Sequence, residues 1–298
     1  MIGLPPCLSA AFKTSPSFFP RSAAYRGIKA GLLVAISCAL PSVAFCADTP
    51  SPTAAPAVHL TGQRAQYDLS LAEVSGGNTL SASGTMTYTV HDTCTAWSTQ
   101  QHLDIQSSTR NNGTVHLVSD YTTLESKDGH HMTFRTVQKS NGATLQIVSG
   151  DASLTPGGGE VQYEKPLKKT LKLPANTLFP MAHTLAILMA AETAKTDLSP
   201  MLFDGTGEDG AQYTYISTHG WDKVSTAQAP SPLLAALPST RVHVAFFNTT
   251  ARAMLPDYEM GMRYFANGVS DKLDMDFGDF RMAGTLQSLS IPDKPHHC

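Results

Sequence analysis

From Arg64 to the end of the chain, polar and apolar residues alternate with a period of two. Segments such as YDLSLAEV, TLSASGTMTYTV, RVHVAFF and GTLQSLSI place an apolar or β-branched residue at every second position, which is typical of strands with one buried face. Turn signals, among them SGGN, RNNG, SNG and TPGGG, separate these segments. The pattern predicts roughly a dozen antiparallel strands in a mainly β domain, as a large sheet, sandwich or barrel-like fold.

One segment departs from this alternation. The stretch from Phe179 to Lys195, FPMAHTLAILMAAETAK, is rich in strong helix formers and opens with a proline, which suits the first turn of a helix. Its apolar residues cover most of the helical circumference. We therefore expect one helix that lies buried against the sheet or inside its curl.

The N-terminal region has the features of a secretory signal peptide. Residues 1–47 contain four Lys and Arg residues and no Asp or Glu, and the apolar run that begins at Ala30 ends in small residues. Pro41 interrupts this run, which disfavours the alternative of an uncleaved membrane anchor. We predict a cleavable signal peptide at 1–47, a disordered leader rich in Pro and Ala at 48–60, and a single β domain at 61–298.

The net charge of the predicted mature chain limits which classes of partner it can bind. Four of the 21 Lys and Arg residues lie within 1–47, whereas all 24 Asp and Glu residues lie beyond it. The predicted mature chain therefore carries 17 basic and 24 acidic residues, a net charge of −7. Such a chain lacks the positive potential that nucleic acids require, so we expect no nucleic-acid partner.

The cysteines of the predicted folded body are Cys94 and Cys298. In an oxidising compartment two cysteines most economically form one disulfide, which favours pairing of these two residues. A metal site in the terminal KPHHC is the alternative, but His296, His297 and Cys298 are adjacent and cannot all converge on one tetrahedral ion. A lipid anchor is excluded, because prenylation requires a cysteine four residues from the end.

Two other stretches resemble ligand-binding motifs, but we predict that they form a loop and a strand without a ligand. GTGEDG, from Gly205 to Gly210, has the glycines of a dinucleotide loop, but a strand follows it and two acidic residues occupy the place of a phosphate. We predict a hairpin loop there. In SDKLDMDFGDF the acidic residues alternate with Leu273, Met275 and Phe277, which indicates a strand with a solvated acidic face rather than a calcium site.

The histidines do not form a recognisable site. His130 and His131 are neighbours in a predicted hairpin and would face opposite sides of a strand. His183 lies on the predicted helix with Ile187, not a second ligand, four residues later. No nucleophile elbow, zinc-protease helix or redox Cys-x-x-Cys is present. We therefore predict no catalytic, cofactor-binding or metal-binding residues, and a protein that is not an enzyme.

An ordered set of motifs resembles a known family, the EipB-like cell-envelope-integrity proteins of the alphaproteobacterial periplasm. The resemblance covers essentially the whole predicted mature chain. The stretches that carry it are TVHDTCTAWSTQQ (89–101), ESKDG (125–129), LPANTLFPMAHT (173–184), FDG (203–205) and PDYEMGMRYFANGVSDKLDMDFGDF (256–280).

This resemblance implies a soluble periplasmic protein that folds as an open, spiral-like antiparallel β-barrel with one associated helix near 180–195. It also implies a disulfide between Cys94 and Cys298. The family is linked to envelope integrity and to a periplasmic partner built of tetratricopeptide repeats, and it offers no established active site.

Three classes of function follow from these observations. The first is a periplasmic protein that supports the envelope through protein–protein contacts. The second is a carrier that binds an apolar envelope component, such as a lipid, in a barrel cavity lined by Leu, Met and Phe. The third is a hydrolase of cell wall or lipid, for which no motif is present.

Overall fold

A computed structural model describes residues 58–75, 78–111, 113–249, 255–295 and 298. The predicted signal peptide and the greater part of the predicted leader lie outside these residues. Residues 58–60 of the predicted leader are held in place, because the His59 N–H donates to the carbonyl oxygen of Ala266 at 3.3 Å. The described chain thus begins before the predicted domain boundary at residue 61.

The first half of the described chain consists of eight consecutive strands. They are β1 (Gln63–Val74), β2 (Thr79–Asp92), β3 (Ala96–Thr109), β4 (Gly113–Ser126), β5 (His131–Ser140), β6 (Ala143–Thr155), β7 (Gly158–Lys165) and β8 (Lys169–Leu173). The second half contains the helix and the remaining strands. They are β9 (Thr177–Leu178), α1 (Pro180–Glu192), β10 (Asp197–Leu198), β11 (Met201–Leu202), β12 (Gln212–Lys223), β13 (Pro238–Phe247), β14 (Tyr258–Phe265), β15 (Ser270–Asp276) and β16 (Phe280–Ser290).

The strands form a single curled sheet. Its order is β8-β7-β6-β5-β4-β3-β2-β1-β16-β15-β14-β13-β12-β11-β9, with β10 also paired to β12. The two ends of this path, β8 and β9, are joined by residues 174–176, so the chain itself links the two edges of a sheet whose hydrogen bonds do not close. The expected open, antiparallel β-barrel with one helix is confirmed, with one parallel pair between β9 and β11.

Alternation along the strands decides which residues line the interior. In β1, Ala65, Tyr67 and Leu69 are buried, whereas Arg64 and Gln66 between them are exposed. Burial of one large apolar side chain contributes about 2 kcal/mol. A register slip of one residue would turn the buried apolar side chains of a strand towards solvent, and this contribution would be lost for each of them. The register of the sheet is therefore strongly specified.

Helix α1 lies inside the curl of the sheet. His183 Nε2 is 3.1 Å from the Thr214 hydroxyl on β12, and Met181 Sδ is 4.0 Å from the Tyr88 hydroxyl on β2, on the other half of the sheet. The helix is shorter than predicted. Ala194 adopts a positive φ of 57° and the Lys195 N–H donates to the Ala190 carbonyl at 2.8 Å, which ends the helix in a Schellman motif.

Two clusters of buried apolar side chains fill much of the interior. The larger one connects α1 with strands of both halves of the sheet. In the smaller one Phe203 is the common neighbour, with ring centroids 5.3 Å from Phe134, 6.4 Å from Tyr163 and 6.3 Å from Phe179. Because Phe134 and Tyr163 come from β5 and β7 and Phe203 follows β11, this cluster packs together the two edges that hydrogen bonds leave open.

The acidic run near the C-terminus forms β15, as predicted. Leu273 is buried and Asp274 is partly exposed. Asp271 differs from the other acidic residues of the run, because it is buried and its Oδ1 accepts a bond from Arg263 Nε at 2.7 Å. Lys272 has a positive φ of 51° and the pairing of β14 with β15 shifts register beside it, so this irregularity places Asp271 opposite Arg263, on the face of the sheet that Leu273 does not share.

Candidate functional site

A disulfide joins Cys94 to Cys298, with their Cα atoms 5.3 Å apart. Cys94 lies in the loop between β2 and β3 and has a φ of 68°, a left-handed conformation. Its N–H donates to Asp92 Oδ1 at 2.9 Å, and the Thr93 N–H donates to the Ala96 carbonyl at 3.0 Å. These bonds hold the loop in the conformation that presents Cys94 to the end of the chain.

Asp92, Trp97 and Lys127 meet beside this disulfide. Lys127 Nζ lies 2.6 Å from Asp92 Oδ1 and 4.4 Å from the ring centroid of Trp97. Burial opposes ionisation of Asp92, but bonds from Lys127 and from the Cys94 N–H outweigh it and hold the pKa of Asp92 below its ordinary value. The lysine is thus fixed over the aromatic ring by one carboxylate.

These residues line a cleft of about 480 Å³, here called the disulfide cleft. Its wall combines apolar side chains, the Trp97 ring, the Lys127–Asp92 ion pair and Lys294. The lining residues are Val58, His59, Leu60, Asp92, Trp97, Lys127, Leu185, Lys294, Pro295 and Cys298. The cleft therefore offers apolar contact next to charged groups.

The outer face of helix α1 borders the disulfide cleft through Leu185. Ala182, Leu185, Ala186 and Met189 follow the spacing of one helix face, and none of them is buried. Met189 is 53% exposed. A surface helix ordinarily carries polar residues on its outer face, whereas this one is apolar there as well as towards the core.

Glu125 anchors the inner end of the same helix. Its carboxylate accepts bonds from the Met181 N–H at 2.8 Å and the Ala182 N–H at 2.9 Å. Phe179 occupies the N-cap position, and its apolar side chain cannot accept these bonds. A carboxylate on β4 therefore caps the helix from across the barrel, with only 1% of Glu125 exposed.

Burial raises the pKa of Glu125 from 4.5 to about 7, although the two N–H donors act in the opposite direction. Between these values the folded protein holds a proton that the unfolded chain has lost. We therefore expect the free energy of unfolding to fall by about 3 kcal/mol as the pH rises from 4.5 to 7, and this part to stay constant above pH 7.

Urea denaturation at several pH values in this window measures the effect. Glu125→Gln keeps the size of the side chain and removes its titration, so the difference between wild type and variant isolates Glu125 from other groups. Identical pH profiles for the two proteins would show that Glu125 does not titrate as stated.

The predicted GTGEDG loop connects the antiparallel strands β11 and β12, as a hairpin loop does. It also has a packing role that its composition did not reveal. The Tyr121 hydroxyl donates to the Asp204 carbonyl at 2.9 Å, and the Thr136 hydroxyl donates to the Gly205 carbonyl at 3.1 Å. The loop thus folds inward onto β4 and β5, and its glycines serve this path rather than a phosphate.

The histidines occupy separate places. His183 is fully buried on α1, and burial lowers its pKa to about 3, so it stays neutral. His130 Nδ1 lies 3.5 Å from Asp128 in an exposed turn, and His131 opens β5. In the described part of the chain, no three His, Cys, Asp or Glu residues are placed to hold a metal ion. His296 and His297 lie outside the described residues.

The structure brings together residues from the stretches that carry the family resemblance. Cys94 and Trp97 belong to the first stretch, Glu125 and Lys127 to the second, and Met181 to the third. Sequence reasoning had assigned the disulfide but not the role of Glu125. The signal that could have found it is a lone acidic residue at an inward position of a strand, which requires a buried partner.

A protein-family model described as EipB-like matches residues 54–293. The chain is 27% identical over 253 residues to a cell envelope integrity protein, EipB, of Brucella abortus (strain 2308), with 81% of this chain and 88% of the relative covered. Its fold is similar to the crystal structure of a β-barrel-like protein with a domain of unknown function from Brucella abortus. For that structure the TM-score is 0.72 at 25% identity, with 80% of this chain and 100% of the other covered.

None of these matches is named for an enzymatic activity, and the lack of catalysis stays a prediction. Within the described ranges, no helix has the length and apolar character needed to cross a membrane.

Proposed function

Because this chain belongs to the EipB-like family, we propose that it supports the integrity of the cell envelope from the periplasm, as a non-enzymatic protein that binds another protein. The relative named for cell envelope integrity supports the envelope role. The Cys94–Cys298 disulfide supports an oxidising compartment. The contact surface in this proposal is the disulfide cleft together with the outer face of α1.

The observation that carries the proposal is the apolar outer face of α1. Leu185 and Met189 lie on it next to a cleft that also contains Trp97. Exposed apolar surface beside a cleft is costly in water and commonly marks a place where a partner binds. The residue types fit this reading, since tryptophan and methionine are enriched in protein interfaces.

Charged side chains border the apolar part of the proposed interface. Lys127, which is paired with Asp92, and Lys294 lie beside the apolar side chains of the cleft. A partner with an apolar centre and a rim of polar or charged groups would therefore match the surface. The family resemblance suggests a periplasmic protein with tetratricopeptide repeats as the class of partner.

The test is a substitution that alters the face without disturbing the fold. Met189→Asp places a charge at an exposed position, so thermal stability should stay within a few degrees of wild type. We expect the variant to fail to restore detergent resistance to a strain that lacks the protein. A photoreactive amino acid at position 189 should cross-link to one periplasmic protein, and this adduct should disappear when the partner gene is deleted.

The matched control is Leu145→Asp on β6, where Leu145 is 55% exposed. This residue lies next to the turn after β5, whereas the other end of β5 pairs with Glu125 near the cleft. We expect the control to restore resistance as wild type does. Full restoration by Met189→Asp would contradict the proposed interface.

A further inference from the structure

A depression of about 200 Å³ lies on the outer face of the sheet, on strands β13, β14 and β15. Three basic side chains line it, Arg241, Arg263 and Lys272, one from each strand. Val242 and Met262, which alternate with the arginines, are buried in the larger apolar cluster, so the arginines project from the opposite, outer face. We call this feature the basic depression. Among the described residues, none lines both the basic depression and the disulfide cleft.

The two arginines of the basic depression are direct neighbours. Arg241 lies opposite Arg263 in the pairing of β13 with β14, and like charges at such positions weaken an antiparallel pair. On its other side Arg241 lies opposite His219 of β12, which brings no negative charge. In the part of the chain that the structure describes, Arg241 has no ion pair. Its charge is therefore not neutralised, although a second cation stands next to it.

A β-bulge arranges the third basic residue. Between the Gly261–Asp274 pair and the Arg263–Asp271 pair, β14 advances by two residues and β15 by three, so β15 contains one extra residue. Lys272 lies in this extra step with a positive φ of 51°, a costly backbone conformation that is concentrated at binding sites. The bulge lets Asp271 accept bonds from Nε and Nη2 of Arg263. Lys272 stays in the lining of the depression, without an ion pair to any described residue.

The carboxylates next to the basic depression are each held by an arginine. Asp271 is bound by Arg263, as described above. Asp274, which belongs to the lining, accepts bonds from Arg281 Nε at 3.2 Å and from Arg281 Nη2. These pairs neutralise both carboxylates. The charges that remain are those of Arg241 and Lys272, so the depression attracts an anion.

Size and donor number indicate which anion fits. The volume is smaller than the about 300–1,000 Å³ of sites that enclose a whole drug-sized ligand, so the depression suits one charged group of a molecule. Gly261 lies on the same face as Arg263 and adds no side chain, which leaves the backbone of β14 open to close approach. A phosphate group has several acceptor oxygens and can contact all three basic side chains. The two oxygens of a carboxylate are matched by a single arginine.

We propose that the basic depression binds the phosphate group of a phosphate ester, with Arg241 and Lys272 as its charged contacts. Arg263 donates from a fixed position, because Asp271 holds its guanidinium and the Phe265 ring lies 4.9 Å from Arg263 Cζ. Such a group occurs on phospholipid heads and on soluble glycerol or sugar phosphates, and its chemistry at the site is the same in both. This site does not depend on the proposed protein interface.

A nuclear magnetic resonance titration of the ¹⁵N-labelled mature protein with sn-glycerol 1-phosphate tests the proposal. We expect the amide signals of Gly261 and Lys272 to shift with glycerol phosphate and not with glycerol. Affinity should be about fivefold lower in Arg241→Gln and in Lys272→Gln, and about 25-fold lower in the double variant. Arg135→Gln is the matched control, since it removes the same charge from an exposed position on β5, and it should bind as wild type.

Thermal unfolding without ligand shows whether Arg241 is held for the sheet or for a ligand. Arg241→Gln removes the charge that lies opposite Arg263, so its melting temperature should be no lower than that of wild type. A clearly lower melting temperature would show that Arg241 stabilises the sheet and would contradict the proposal.

Sedimentation with vesicles identifies the source of the phosphate group. The vesicles consist of phosphatidylcholine with or without phosphatidylglycerol. If wild type and Arg135→Gln sediment with the phosphatidylglycerol vesicles and the double variant does not, the ligand is a lipid head group. Binding of glycerol phosphate without binding to vesicles would assign a soluble ester, and either result supports the site. Failure of wild type to bind both probes would overturn the proposal. So would an equal loss of binding in Arg135→Gln and Arg241→Gln, because it would show attraction to the overall charge of the protein.

Discussion

Replacement of Cys94 or Cys298 by serine is expected to lower the free energy of unfolding of the oxidised protein by about 5 kcal/mol, before any strain in the folded state is subtracted. The bond connects residues 204 positions apart. In the unfolded chain this cross-link removes the entropy of a very long loop, and its loss returns that entropy. The effect is comparable to the whole stability of many domains.

Urea denaturation of the two single variants, the double variant and reduced wild type measures this effect. All four should unfold at the same urea concentration, because each lacks the same bond. Protease digestion should cut after β16 in the variants, where residues 291–295 lose their attachment to Cys94. A double variant clearly less stable than either single variant, or free thiols at both positions in the native periplasmic protein, would contradict the assignment.

Glu125→Ala is expected to lower the free energy of unfolding by about 4 kcal/mol. The substitution leaves the buried Met181 N–H and the partly buried Ala182 N–H without their acceptor, at about 1–3 kcal/mol for a fully buried group, and opens a cavity inside the barrel. Glu125→Gln should cost less, because its amide oxygen still accepts one of the two bonds and no charge remains buried. Urea denaturation at pH 7 measures the free energy of unfolding of wild type, Glu125→Gln and Glu125→Ala, which should decrease in that order.

Glu164→Ala is the matched control, since Glu164 is an exposed glutamate on β7. Its effect should stay within about 0.5 kcal/mol. If Glu125→Ala were no more destabilising than this control, the carboxylate would not be the cap on which α1 depends. Circular dichroism would separate loss of the helix from loss of the whole fold, because the sheet signal should remain at low urea concentration.

The parts of this protein that were predictable from sequence are those set by local periodicity and by compartment. The alternation around Tyr67 and Leu273 predicted inward strands, and the apolar stretch after Phe179 predicted the helix. The pairing of Cys94 with Cys298 was favoured because an oxidising compartment leaves two cysteines with one economical arrangement. Family resemblance supplied the spiral-like barrel, which alternation alone did not distinguish from a sandwich.

Other features depend on residues that are distant in the chain. Glu125 read as an ordinary strand residue, and its role as a helix cap exists only because β4 passes the start of α1. Phe203 stood out only as part of the FDG stretch of the family resemblance, yet it packs the two open edges of the sheet together. Asp271 belonged to an acidic run, and an irregular register beside Lys272 turned it towards Arg263.

By itself, then, the sequence determined which residues can face inward, where the one helix begins and which cysteines are available to pair. These are properties of short segments, governed by strand and helix geometry and by the side chains next to one another. Only the tertiary structure decided that Glu125 meets the helix and that Trp97 and Lys127 form a cleft with Cys298. The physical reason is that the energy of a buried polar group depends on the partner that the fold brings to it. Such a partner is distant in the sequence, so no local sequence pattern indicates it.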